Sequence, residues 1–308
     1  MFYAIFSWET ISSAIRMTTP LAFASLGGVF SERSGVVNIA LEGMMLVGAF
    51  FAAVFAHFFK NPWLAIFMAG IAGTFLALIH AVVSINFKVN QIVSGVALNM
   101  LATGGTTFLS RLIFQAAGSS PHLEGLKPWS IPILSYIPGI GKIFSDLSPL
   151  IIIMFLIFIL SHFVLYKTVF GLRLRSVGEN PQAADTLGIN VYLYRYIGVL
   201  ISGFLGGLGG AFLSLEHARV FVETMTVGRG FIALAAMIFG KWTPFGSLSA
   251  CFLFGLAEAV RMRLEGVGLP TQFIQMIPYI LTMLVLAGAV GRAVAPAADG
   301  IPYEKEEI

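Results

Sequence analysis

The sequence predicts an all-α integral membrane protein, and three observations carry that expectation. Hydrophobic residues make up 57% of the chain and charged residues only 11%, less than half of the ~25% usual for soluble domains. Mean hydropathy is +0.89, and phenylalanine alone occurs 28 times. The apolar residues are gathered into runs long enough to cross ~30 Å of hydrocarbon as helix. In that medium each backbone N–H and C=O must be satisfied within its own segment, which a helix does.

The runs follow one another at 10–30, 36–58, 62–86, 91–114, 149–166, 196–215, 230–247, 248–264 and 272–290, about nine helices in all. The N-terminus, MFYAIFSWETISSAIRM, has neither a basic leader nor a small-residue cleavage site, so the first run is expected to stay as a membrane anchor. After the fourth run, residues 115–148 carry Pro121, Pro128, Pro132 and Pro138 and read as an extramembrane linker between two halves. The 230–247 run is interrupted by Gly240 and Pro244, and 248–264 is short for a full crossing. Broken or re-entrant helices are expected there. The tail after Val294, APAADGIPYEKEEI, is polar and expected to be extended.

The halves echo each other. Leu26-Gly27-Gly28-Val29-Phe30 is matched by Leu208-Gly209-Gly210-Ala211-Phe212, and Ile39-Ala40-Leu41 by Ile232-Ala233-Leu234. Phe75-Leu76 and His80-Ala81-Val82 correspond to Phe252-Leu253 and Glu258-Ala259-Val260, and Gln91 to Gln272. Equivalent helices are five crossings apart, so the repeats are expected to run in opposite directions, with a transport pathway at their interface near the midplane.

The longest polar run is GLRLRSVGENPQAADTLG, residues 171–188. Its interior reads as a short helix. Asn180 can cap it, Pro181 falls at the first helical position, and Gly188 stands where a left-handed terminator belongs. Ala183, Ala184 and Leu187 give it a small apolar face, with Arg173, Arg175 and Glu179 beside it. Such a rod is either a docking element or an ordinary solvated loop.

Several functions are excluded or disfavoured. A formal charge of +3 without a basic block points away from nucleic acid. The single cysteine, Cys251, permits no internal disulfide or thiolate cluster. Gly141-Lys142 and Gly240-Lys241 lack the glycine spacing and following hydroxyl of a phosphate-binding loop, so the chain is not expected to hydrolyse ATP. No catalytic set, metal site or cofactor is expected. Lys and Arg divide evenly between the two sides, so charge does not orient the protein, although four basic residues between Lys167 and Arg195 lean toward a cytoplasmic loop.

Four stretches resemble the permeases of ABC importers in the branched-chain amino acid, ribose and nucleoside group. They are the 171–189 run, Ser34-Gly-Val-Val-Asn-Ile-Ala-Leu-Glu-Gly-Met44, Asn90-Gln-Ile-Val-Ser-Gly-Val-Ala-Leu-Asn99 and Gly228-Arg-Gly-Phe-Ile-Ala-Leu234. The ending Gln275-Met-Ile-Pro-Tyr-Ile-Leu281 is similar to the nucleoside branch. The resemblance implies a multi-pass inner-membrane permease and a cytoplasmic ABC ATPase. It also implies a second, non-identical permease subunit and an extracytoplasmic lipoprotein of the basic membrane protein type that delivers solute. Purine nucleosides are the implied cargo, with riboflavin or a simple sugar as alternatives and an ion-coupled carrier as the competing class.

On this sequence the resemblance divides the chain into a first transmembrane repeat (1–114), an extracytoplasmic linker (115–148) and a helix with a cytoplasmic coupling loop (149–195). A second repeat (196–291) and a cytoplasmic tail (292–308) follow. Gly171, Arg173, Gly178, Glu179, Asn180, Pro181, Ala184 and Gly188 become the ATPase-coupling residues. Asn38 and Glu42, four apart on one helical face, together with Gln91 and Asn99, are candidates to line the pathway, or else hydrogen-bond one helix to another. Glu216 and Glu223 meet the binding lipoprotein or form a solvated rim. His80 and Glu258 are packed polar residues or a proton relay.

Overall fold

The computed structural model describes residues 7–115, 118–129, 147–265 and 293–305, with 272–274, 276, 280 and 283. The described residues form ten α-helices and two π-helical stretches. Six of these helical segments are long and apolar enough to cross a membrane. In chain order the helices are α1 (Trp8–Arg33), α2 (Leu41–Phe59), α3 (Pro62–Ala81), α4 (Gln91–Phe114), α5 (Pro149–Lys167), α6 (Val169–Glu179), α7 (Pro181–Thr186), α8 (Val191–Ala211), α9 (Arg229–Phe239) and α10 (Pro244–Leu264). α3 and α8 are each prolonged by a π-helical turn, at Val82–Asn86 and Phe212–His217.

The helix starts follow local chemistry. Asn61, Asn90, Ser148, Thr168, Asn180, Asn190 and Thr243 each accept a backbone N–H in the first turn that follows them. Pro62, Pro149, Pro181 and Pro244 occupy first-turn positions, where a missing N–H is harmless.

Helix α8 is the centre of the bundle: 78% of its apolar window is buried, against 28% for α4. Its glycines make this possible. A Cβ at Gly207 or Gly203 would collide with backbone of Ala69 or Gly73 on α3, and one at Gly210 with the Met45 carbonyl on α2. Close backbone approach of this kind replaces the hydrophobic driving force that helices lack in lipid. Phe50 anchors the packing on the other side of α2, edge-on to Phe114 and Phe221 at centroid distances of 6.3 and 5.3 Å.

The bundle has two ends. At one, here the proximal end, Arg33 at the close of α1 reaches Glu179 at the close of α6 (3.7 Å), and Lys88 between α3 and α4 meets Glu304. At the distal end Glu9 meets Arg263, and Arg111 at the end of α4 meets Glu223. α1 therefore runs distal to proximal, whereas α8, which starts beside the tail through Arg195 and ends beside Leu126 through Glu216, runs the other way.

Several expectations are corrected. The second helix starts at Leu41, not at 36: residues 36–38 are not helical, although Val36 and Val37 continue the hydropathy run. Asn38 thus lies outside the helix and does not share a face with Glu42. The break near Gly240 and Pro244 is present, but it ends α9 at Phe239 and starts α10 at Pro244, so the second piece has 21 residues. α9 has only 11 residues, about 16 Å of rise, too little to cross a bilayer. Helix α6 was not anticipated within the polar run. The tail is packed rather than free, with Ala298 and Tyr303 buried. The linker's described part, 118–129, lies against 216–223 through paired backbone bonds such as Ser120 N–H to the Phe221 carbonyl (2.8 Å) and Leu123 N–H to that of Arg219 (2.8 Å). The span expected at 272–290 and the linker residues 130–146 fall largely outside the described residues.

Candidate functional site

The polar run folds into a two-helix knob at the proximal end. Thr168 breaks the chain after α5 and its hydroxyl accepts from Gly171 N–H (3.2 Å). Leu174, Val177 and Gly178 then form the inward stripe of α6. Gly171 and Gly178 are there for close approach: a Cβ on either would overlap carbonyl oxygens, of Val164 and Leu165 for the first and of Arg33 for the second. Asn180 Oδ1 accepts from Ala183 N–H (3.0 Å), Pro181 opens α7, and Gly188 closes it at φ +77°. The Gly188 and Ile189 amides return to the carbonyls of Asp185 and Ala184, at 2.8 and 3.1 Å. Ala184 faces inward with Val177, Val191 and Tyr303, whereas Ala183 and Leu187 face solvent, Leu187 at 80% exposure. Arg173 is exposed on α6, and Glu179 is engaged by Arg33 and by the Ala297 N–H (3.2 Å).

Three of the four intramembrane candidates, Asn38, Gln91 and Asn99, converge on one feature, the non-helical passage between α1 and α2. Gln91 Oε1 accepts from Val37 N–H (2.7 Å), and His80 Nε2 donates to the Val37 carbonyl (3.0 Å). Asn38 is fully buried and donates to Ser202 Oγ on α8 (2.8 Å). Asn99 spans the start of α2, donating to the Ile39 carbonyl (3.0 Å) and accepting from Gly43 N–H (2.7 Å). Glu42 leaves this group and crosses to α9. Its two carboxylate oxygens accept from Gly228 N–H (2.8 Å) and Gly230 N–H (2.6 Å). A carboxylate is thereby fixed on the positive end of a half-helix. A Cβ at Gly230 would overlap the Glu42 backbone, so only glycine lets the two helix starts meet.

The remaining candidates are engaged elsewhere. Glu216 Oε1 accepts from Leu126 N–H (2.6 Å), and Glu223 is paired with Arg111 (3.1 Å). His80 and Glu258 are not brought together: His80 lies among Val37, Ser94 and Ser84, while Glu258 holds Arg261 (2.6 Å). Sequence reasoning missed Ser202, the partner of Asn38. It also missed a buried group of Glu32, Trp242 and Asp299, in which Trp242 Nε1 donates to Glu32 (2.6 Å) and the Asp299 carboxyl lies close to the same carboxyl. Burial, then the Glu32 charge, pushes the Asp299 carboxyl up to about 9. The only local signal was a pair of acidic residues in otherwise apolar or small-residue surroundings.

A helical bundle with six potential crossings, a half-helix set against a broken helix, and a capped knob on one end has the build of a membrane permease rather than of an enzyme. The chain belongs to the branched-chain amino acid transport system / permease component family, whose description matches residues 10–286. It is 48% identical to the guanosine ABC transporter permease protein NupQ of Bacillus subtilis over 306 residues, covering 96% of both chains. It is 46% identical to the nucleoside ABC transporter permease protein NupC of Lactococcus lactis, covering 96% of this chain and 97% of the other. The putative glucose ABC transporter permease protein TsgC13 of Haloferax volcanii is 36% identical, with 93% of each chain covered. The chain is thus a multi-pass ABC transporter permease subunit and not itself an enzyme.

Proposed function

We propose that this permease imports purine nucleosides. The observation that carries the reading is the near full-length identity to NupQ and NupC, named for guanosine and nucleoside transport. An extracytoplasmic lipoprotein delivers the solute to a cavity between this subunit and a second, non-identical permease, and a cytoplasmic ABC ATPase drives the cycle. The proximal end is the cytoplasmic one. There α7, capped by Asn180, opened by Pro181 and ended by Gly188, enters the ATPase, with Leu187 as its exposed apolar tip. Gly171, Gly178 and Ala184 set the seat of this knob, and Arg173 and Glu179 flank it.

We further infer that the two halves are inverted repeats. α1 packs on α10 as α8 packs on α3, and the equivalent α1 and α8 run in opposite directions and pack on each other. Gly35 (φ +89°) and Gly228 (φ +80°) stand the same four residues before Ile39-Ala-Leu and Ile232-Ala-Leu. The broken starts of α2 and α9 are then related features, and Glu42 joins one to the other. Asn38, Gln91 and Asn99 shape the same region, and in this reading the solute path runs beside it. Glu216 and Glu223 brace the distal surface against which the lipoprotein sits.

Deletion of the gene, with uptake of radiolabelled guanosine, adenosine, glucose and riboflavin measured in the deletion and complemented strains, tests the cargo. Loss of nucleoside uptake alone is expected. Loss of glucose uptake alone would favour the TsgC13-like reading, and uptake that persists without ATP under an intact ion gradient would remove the ABC mechanism.

A further inference from the structure

We propose that the C-terminal strap, residues 293–305, positions the ATPase-facing helix α7, with Tyr303 as its positioning residue. The inference rests on the reading of α7 as the docking element and adds what holds it in place. A six-residue helix is far below the ~12–15 residues at which an isolated helix becomes even marginally stable. Its buried residues are Pro181 and Ala184 alone. Its orientation must therefore come from whatever lies beneath it.

What lies beneath is the strap. Tyr303 is 4% exposed and packs with Val177 of α6, Ala184 of α7 and Val191 of α8, its ring edge-on to Tyr192 at 5.5 Å. Upstream, Ala298 N–H donates to the Gly178 carbonyl (2.9 Å) and Ala297 N–H to Glu179 (3.2 Å), which tie the strap to the hinge between α6 and α7. Arg195, 1% exposed, donates to the Ile301 carbonyl (2.9 Å), and Lys88 meets Glu304 (2.6 Å). A merely solvated tail would make none of these contacts.

The strap also touches the parts expected to move. Gly300 turns at φ +77° against Val37, in the same non-helical passage that Gln91, His80 and Asn99 hold. Asp299 meets Glu32, which holds Trp242, while Arg33 donates to the Trp242 carbonyl (2.9 Å). Lys241 and Trp242 both sit at positive φ in the turn between α9 and α10. One short segment thus joins the knob, the break between α1 and α2, and the break between α9 and α10. Movement imposed on α7 has a direct mechanical route to both broken helices.

The test uses the assembled transporter with its ATPase and binding protein in nanodiscs. The permeases compared are wild type, Tyr303→Ala, a chain ending at Val294, and Leu187→Glu. In the two strap variants, stimulation of ATP hydrolysis by solute-loaded binding protein is expected to fall about fivefold or more, with basal hydrolysis within about twofold of wild type. A loss of fold alone would lower both together. Full stimulation in strap variants that carry the normal complement of ATPase would overturn the proposal. Should those variants fail to assemble, Ala298→Pro removes a single N–H. Amide exchange across 180–188 should then quicken by roughly tenfold or more, and unchanged exchange would overturn the proposal equally. Leu187→Glu is expected to lose the ATPase. If it retains the ATPase, the docking reading fails, whatever the strap variants show.

Discussion

Glu42 offers the sharpest perturbation. Its carboxylate takes two backbone donors at the start of α9, at 2.8 and 2.6 Å, and both bonds are charge-assisted. Bonds of that kind contribute about 1.5–3 kcal/mol each, and leaving a donor buried and unpaired costs a similar amount. The charge on the helix start adds ~0.3–2 kcal/mol. Water reaching the half-buried site recovers part of the loss, so Glu42→Ala is expected to destabilise the protein by about 3 kcal/mol. Glu42→Gln keeps one acceptor but sets its amide against the second N–H and removes the charge, for a loss of about 2 kcal/mol. The measurement is denaturant or thermal unfolding of the purified permease in detergent, paired with nucleoside uptake per folded molecule. Because Glu42 locks α9 to α2, uptake should fall beyond the loss of folded protein. A Glu42→Ala variant within ~0.5 kcal/mol of wild type would refute the capping argument, since that is the scatter of neutral substitutions. Glu42→Gln worse than Glu42→Ala would refute it equally.

Other predictions follow from the same geometry. Gly188→Val meets open space and only the strain of a branched residue at φ +77°, so it should cost ~1–2 kcal/mol locally, leave expression intact and weaken ATPase co-purification. Gly178→Ala collides with the Arg33 carbonyl, and a stability loss of ~1–3 kcal/mol from overpacking is expected, read as a lowered melting point; an unchanged melting point would count against that seam. A double-mutant cycle on Asn38 and Ser202 should give a coupling of about 0.6 kcal/mol, at most ~1.7. Wild-type solute kinetics in the folded Asn38→Ala protein would remove Asn38 from the pathway and leave it as packing. For Asp299, the carboxyl raised to about 9 binds its proton across neutral pH in the folded chain and not in the unfolded one. Its stabilising effect is complete below the ordinary value of 3.8 and is lost as pH rises through 9. Between about pH 4 and pH 9 the wild-type melting point should therefore fall more steeply than that of Asp299→Asn, and equal slopes would refute the assignment.

Most of the knob was legible because its signals are local. Asn180, Pro181 and Gly188 act on backbone groups within four residues of themselves, and each does in the structure what its type predicts. The break at Gly240 and Pro244 was legible for the same reason. Helix α6 was hidden because its apolar stripe is only Leu174 and Val177, interleaved with Arg173, Arg175 and Glu179. The start of α2 was misplaced because Val36, Val37 and Ile39 continue the hydropathy of a span. Their backbone is held out of a helix by Gln91, His80 and Asn99, side chains some forty or more residues away in the chain.

By itself, then, the sequence determined the class of solvent, the order of the apolar rods, the capped knob between two of them and the echo of one half in the other. Each of these is a matter of composition or of neighbours along the chain. Only the tertiary structure decided that Asn38 faces α8 and Glu42 faces α9, that Gly178 seats the knob on α1, and that the tail lies beneath α7. Those outcomes depend on which backbone donors are left unpaired when helices meet, and in a medium without water a donor takes whichever acceptor the packing brings to it.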